Sequence, residues 1–175
     1  MKKITFVLLS AFFALSLNLN AQTAIDKIFE KYSGTAGFTS VTINKNMFDM
    51  ISRMDTSEDG KEFSDAVSKL ESIRILAMDS VNNGGVNLYE VVMNALPTKD
   101  YKELMDVKDN GNNVKFMVRE KGDIITELLL ISDGNNEENA LVVIKGEIDL
   151  ASIGAIGKSM NFDGLAPLQK LKKRK

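Results

Sequence analysis

Between Glu103 and Ile148 four strand-length runs alternate with short polar separators. The runs "ELMDVKD", "NVKFMVREK", "DIITELLLIS" and "ALVVIKGEI" are separated by "NGN", "KGD" and "DGNNEEN". Apolar and β-branched runs of this length suit strands, and separators with Asn-Gly or Asp-Gly chemistry favour tight hairpins. Strands joined by tight hairpins lie antiparallel, so this half predicts a C-terminal four-strand meander. In the second run Val114, Phe116 and Val118 face one way while Lys115 and Arg119 face the other, which implies one wet face there. "ELLLIS" is apolar on both faces and predicts a central strand.

The first half mixes helical and strand periods. Ile25, Ile28, Phe29 and Tyr32 recur at helical spacing behind Thr23, with Asp26 placed to complete a cap. "FTSVTIN" alternates and predicts a strand over Thr39 to Asn44. "KNMFDMISRM" and "KEFSDAVSKL" predict two helices across the turn "TSEDG", the second with Phe63, Ala66, Val67 and Leu70 on one face. "SIRILAM" is a second strand, and "NLYEVVMNALP" a helix capped by Asn87 with Glu90 and stopped by Pro97. "DLASIGAIGKSM" closes the pattern as a helix. The expected fold is α+β: a largely antiparallel sheet with the four-strand meander, helices packed mainly on one face, and one domain over residues 22–169.

The N-terminus reads differently. Lys2 and Lys3 precede an apolar run from Ile4 to Leu17, and "LNA" ends it in small-residue context at Ala21. That is the layout of a cleavable signal peptide over residues 1–21, and the run is too short to span a bilayer. The expected product is exported, periplasmic or extracellular, and begins at Gln22. Taking Lys2 and Lys3 from the 22 basic residues leaves 20 against 24 acidic ones, a balance of −4 that argues against nucleic acid as a partner. No later segment is apolar over a length that could cross a membrane.

Composition closes many chemistries. With no histidine and no cysteine, the chain can form no Ser-His-Asp triad, no thiol redox couple, no disulfide and no His- or Cys-ligated zinc site. "SIGAIGKSM" resembles a phosphate-binding loop, but Ser152 stands where the first glycine belongs. Leu150, Ile153, Ile156 and Met160 form a helical stripe instead, with Asp149 as N-cap and Gly154 and Gly157 as close-packing positions. Lys158 and Ser159 are adjacent on that helix and point apart. The calcium-loop readings of Asp55–Gly60 and of "DVKDNG" fail, because Ala66 occupies the terminal ligand position of the first and Lys108 a ligand position of the second. Glu137 and Glu138 read as a solvated turn. Met47, Met50 and Met54 lie along one helix side and suit core filling or an adaptable protein-binding groove better than copper. No catalytic, cofactor or metal residue is assigned, and no cofactor is expected.

The chain ends "KLKKRK". Lys170, Lys172, Lys173, Arg174 and Lys175 form a basic tail over residues 170–175, and without them 15 basic residues face 24 acidic ones. This polarity makes the tail a candidate contact for an envelope protein or an anionic surface, against the plainer reading of a solvated terminus.

Four stretches, "TSVTINKNMFDMI", "SIRILAMDS", "YKELMDVKDNGNNVKFMVREKGDIITELLLIS" and "ALVVIKGEIDLASIGAIGKSM", together with a signal ending "AQ", resemble the exported bacterial proteins of domain-of-unknown-function family 4252, common in Bacteroidota. The resemblance implies an envelope setting, in an envelope-stress or surface-signalling context, and it carries over no catalytic residues. It also implies a lipid-bearing cysteine in some relatives. This chain has no cysteine and is not expected to be a lipoprotein. The leading expectation is a non-catalytic interaction module. The alternative is a small-ligand carrier or a carboxylate-based hydrolase of envelope material, which needs a deep cavity with convergent acids; Glu147 and Asp149 in "GEID" are the acids to inspect first.

Overall fold

The computed structural model describes residues 23–54, 61, 64, 65, 67–79, 84–97, 99–109, 112–134, 139–150 and 153. Residues 1–22, with the expected signal segment, the basic tail and most of the expected closing helix lie outside them. Of that helix, Leu150 and Ile153 are described and helical, and Ile153 N–H donates to the Asp149 carbonyl at 3.1 Å.

The described elements run α1 (Ala24–Tyr32), β1 (Phe38–Asn44), α2 (Lys45–Met54), β2 (Leu70–Met78), α3 (Leu88–Ala95), β3 (Lys102–Asp109), β4 (Asn112–Lys121), β5 (Ile124–Asp133) and β6 (Asn139–Ile148). Local signals set most of these bounds. Thr23 and Asp26 form a full capping box on α1, while Asn87 accepts the Glu90 N–H to start α3, which ends just ahead of Pro97. Lys121 pairs with Ile124 across a two-residue turn, where Gly122 holds a φ of 65°.

The six strands form one antiparallel sheet in the order β1-β2-β6-β5-β4-β3. Strands β3 to β6 pair in sequence as neighbours, as the hairpin signals predict. Strand β5 is interior, and Leu128 through Ile131 are all buried. At roughly 1.5–3 kcal/mol for each such side chain, this one tetrad contributes a large part of the hydrophobic drive. Leu70 opens β2 rather than closing the preceding helix, so the strand is longer than "SIRILAM" suggests.

Helices lie on both faces, so the expectation of helices packed mainly on one face holds only in part. On one side α1 and α3 pack Ile25, Phe29, Leu88 and Val92 against Leu76, Leu129, Ile131, Leu141 and Val143. On the other, Phe48 of α2, Val67 and Ile153 pack against Ile73, Phe116, Leu128, Leu130, Val142 and Ile144. The reason is visible in the interior strands. Leu128–Ile131 of β5 and Leu141–Ile144 of β6 are apolar and buried at odd and even positions alike, so each face needs a cover.

The two edges differ. Strand β3 carries Lys102, Glu103, Asp106, Lys108 and Asp109, whereas β1 carries no charge and is exposed over most of its length. At the β2–β6 seam the register shifts between Leu70 and Ser72, opposite Gly146. Gly146 has a φ of 134°, and a Cβ there would overlap the Lys69 carbonyl oxygen and sit 2.7 Å from the Leu70 Cα.

Candidate functional site

Lys115 and Arg119 are largely but not wholly withdrawn from water, with 14 and 29% of their side chains exposed. Their side of β4 belongs to the face covered by α1 and α3, where Met117 between them is buried. Register then lines charges up across three strands: Arg119 of β4 is opposite Glu127 of β5, and Glu127 is opposite Lys145 of β6. Glu127 keeps only 3% of its side chain exposed. Arg119 Nη1 lies 3.2 Å from its Oε2, the Tyr101 hydroxyl donates to the same oxygen at 2.9 Å, and Lys145 Nζ stands 3.9 Å from Oε1. Arg119 also donates from Nη2 to the Tyr101 hydroxyl at 2.8 Å, with its guanidinium 4.6 Å from that ring's centre.

The chain of charges continues into α1. Asp26 Oδ1 accepts from Arg74 at 2.7 Å and from Lys145 at 3.3 Å, and the Arg74 guanidinium lies 3.8 Å from the centre of the Phe29 ring. Asp26 thus serves twice, closing the cap of α1 and fastening the helix to β2 and β6. Partly buried ion pairs of this kind add little net stability over apolar packing, but a cation or anion left there without its partner is costly. The array therefore fixes where α1 sits on the sheet.

Proton affinities follow from these contacts. Burial opposes ionisation of Asp26, yet the Thr23 hydrogen bonds and the Lys145 ammonium outweigh it and lower its pKa to about 2. A carboxylate lowered from about 3.9 in the unfolded chain contributes stability that is complete above roughly pH 5 and is lost as pH falls toward 2. Asp26→Asn is therefore expected to be less stable than wild type at neutral pH and to converge with it near pH 2, as followed by urea unfolding across that range. A constant gap at every pH would show that the carboxylate's charge is not what holds α1. Burial, and next the Glu127 carboxylate, raise the Tyr101 phenol, which makes it a lasting hydrogen-bond donor rather than a nucleophile.

Arg119 reaches from this array into an open cleft of about 700 Å³, bounded by Thr23, Pro97, Lys99, Asp100, Lys102 and Glu120. Glu120 is tied to Lys102 by an ion pair. Two acids and three cations line the cleft, which makes it a mixed-charge surface rather than an acidic one.

A second surface exposes methionines among polar side chains. Met47, Met50 and Met54 of α2 are 42, 50 and 77% exposed, while Phe48 of the same helix is buried. Met50 and Met54 line a shallow hollow of about 330 Å³ together with Asn46, Asp49 and Arg53. The helical spacing of the three methionines is thus realised as an outward face, in line with the groove reading and not with core filling.

The remaining sequence candidates scatter. Lys170, Lys172, Lys173, Arg174 and Lys175 lie outside the described residues, as do Asp55–Gly60, Glu137, Glu138, Gly154, Gly157, Lys158 and Ser159. Glu147 is exposed and paired with Lys69, and Asp149 directly precedes helical Leu150. Asp106 sits 3.5 Å from Lys108 and 3.6 Å from Lys115, so lysines occupy its surroundings where calcium would need oxygens. Among the described residues no group of three or more acids could hold a metal, and no helix is long and apolar enough to cross a membrane. The array around Glu127 escaped sequence reasoning. Its one trace was a lone acid flanking a wholly apolar strand run, in a sheet whose neighbouring strands offer bases.

Comparison with known proteins gives one match. A family model described as Domain of unknown function (DUF4252) covers residues 32–156. No curated protein and no solved structure matches the chain.

Proposed function

The chain belongs to the DUF4252 family, and from that premise we propose that it is an exported, non-catalytic contact module of the cell envelope. The observation that carries this reading is the exposed methionine face of α2. Clustered large apolar side chains on a surface are costly to keep in water, and methionine's flexible thioether suits contact with a protein partner. The polar array supports the same reading from the other side, because Glu127, Tyr101 and Arg119 are paired among themselves while Asp26 is held by Arg74 and Lys145 and fastens α1. The signal-like N-terminus supports export, and the basic tail is a second candidate contact, toward an anionic surface or an acidic partner. An envelope-stress or surface-signalling setting fits such a module.

Crosslinking in living cells followed by purification and mass spectrometry tests this. The wild type is expected to bring down a reproducible envelope protein that Met50→Glu with Met54→Glu loses at least tenfold, since two charges on an apolar contact cost several kcal/mol. Deleting residues 170–175 measures the tail's share separately. Recovery of no protein by any of the three forms would defeat the contact reading and move attention to small anions in the Arg119 cleft.

A further inference from the structure

We infer that the outer edge of β1 is the seam of a homodimer, in which two copies of this chain pair β1 to β1 antiparallel about Val41 and join their sheets into one. The inference does not rest on the envelope reading. It begins with the contrast between the sheet's two edges. A free edge strand offers unpaired N–H and C=O groups, and proteins that stay single blunt such edges with charge, proline or a bulge. Edge strand β3 is blunted in this way by Lys102, Glu103, Asp106, Lys108 and Asp109, and its register with β4 is bulged between Glu103 and Met105. Edge strand β1 has none of these devices. "FTSVTIN" holds no charge and no proline, and it pairs with β2 residue for residue from Phe38↔Met78 to Asn44↔Ser72 without a break. Among the described residues nothing pairs with its outer side.

The direction of the free groups follows from one bond. Asp79 N–H donates to the Gly37 carbonyl, so Gly37 points toward β2. Strict alternation then turns Thr39, Val41 and Ile43 inward at the backbone and leaves the N–H and C=O of Ser40 and Thr42 facing out. These are the groups a second strand would meet.

The sequence around Val41 is what selects a second copy as that strand. Read from Val41 in either direction, the first neighbours are Ser40 and Thr42 and the next are Thr39 and Ile43. Antiparallel self-pairing therefore sets Ser40 opposite Thr42 of the other copy as a doubly hydrogen-bonded pair, twice over. It sets Thr39 opposite Ile43, and Val41 opposite its own counterpart with Cα atoms about 4.5 Å apart. Hydroxyl pairs and β-branched pairs are both favourable across strands. The register also keeps the faces in phase, so Val41, now 43% exposed, is covered, and Ile43 continues the apolar face. A charged partner would find no complement anywhere along this strand. A neutral copy of itself finds one at each position from Thr39 to Ile43.

Sedimentation velocity and light scattering on the full chain, purified from an exporting host over a wide range of concentration, test the assignment. The wild type is expected to be a dimer at high concentration. Val41→Lys places two like charges against each other across the axis and should raise the dissociation constant roughly tenfold or more. Thr42→Pro removes an outward N–H without touching the β2 ladder and should act the same way, while Val107→Lys on β3 should leave the dimer intact. Mixing Val41→Lys with a Val41→Glu variant should restore a dimer that neither forms alone, which only pairing at Val41 predicts. A wild type that stays monomeric at all concentrations overturns the inference, including if it captures a neutral extended peptide of another protein. So does a dimer that survives both β1 variants, or a mixture that stays monomeric.

Discussion

Replacing Glu127 by alanine is expected to destabilise the protein by about 3–5 kcal/mol, because it strips the shared anion from a buried array. Arg119 would then lose its counter-charge, Lys145 would be left with Asp26 alone, and the Tyr101 hydroxyl would lose its acceptor. Against a total stability of roughly 5–15 kcal/mol the loss is large. Urea unfolding should show the midpoint fall with an unchanged slope, since the surface exposed on unfolding is the same. Glu127→Gln should cost less, because it retains an acceptor near Tyr101. A double change, Glu127→Leu with Arg119→Met, should recover part of the deficit by replacing buried charge with packing. An alanine variant within about 1 kcal/mol of wild type would mean that water or side-chain movement satisfies Arg119 and Lys145, and that the array does not position α1.

Gly146→Ala is expected to cost about 2 kcal/mol or more, combining backbone strain with overlap. The site has no soft neighbour to yield. The added methyl meets the Lys69 carbonyl, the Leu70 Cα and the Glu71 nitrogen, all backbone, at the point where β2 shifts register against β6. Gly122 supplies the control. Its φ of 65° disfavours alanine too, but nothing lies within 4 Å of a Cβ there, so Gly122→Ala should cost only about 1–2 kcal/mol. The difference between the two unfolding curves isolates the steric part. Equal costs would show that the β2 bulge relaxes freely, and that the seam between the meander and β2 is softer than its geometry implies.

These two positions also mark how far the sequence alone can be read. Gly146 looks like any glycine in "IKGEI", because the atoms that forbid a side chain come from Lys69, Leu70 and Glu71, far away in the chain. Glu127 looks like a solvent-facing acid at the start of a strand. Its burial depends on Tyr101, Arg119 and Lys145, each contributed by a different segment, and on α1 and α3 closing over that face. The methionine face was the reverse case. Spacing put Met47, Met50 and Met54 on one side of a helix, but only packing could say whether that side turns inward or out.

What the sequence determined by itself was local. Capping pairs at Thr23 and Asn87, the stop at Pro97, the hairpin turns and the apolar run of β5 acted between residues a few positions apart, so their signals survive without the fold. The meander followed for the same reason, since each tight turn commits its two strands to antiparallel neighbours. The tertiary structure decided what depends on distant partners. It put β2 beside β6, made β1 a neutral edge, and covered both faces of the sheet. It also brought Asp26 onto Arg74 and Lys145 across separations that no periodicity records. Charge alternation along one strand shows which side chains share a face. Whether that face meets water or a helix is settled when the whole chain buries its apolar surface.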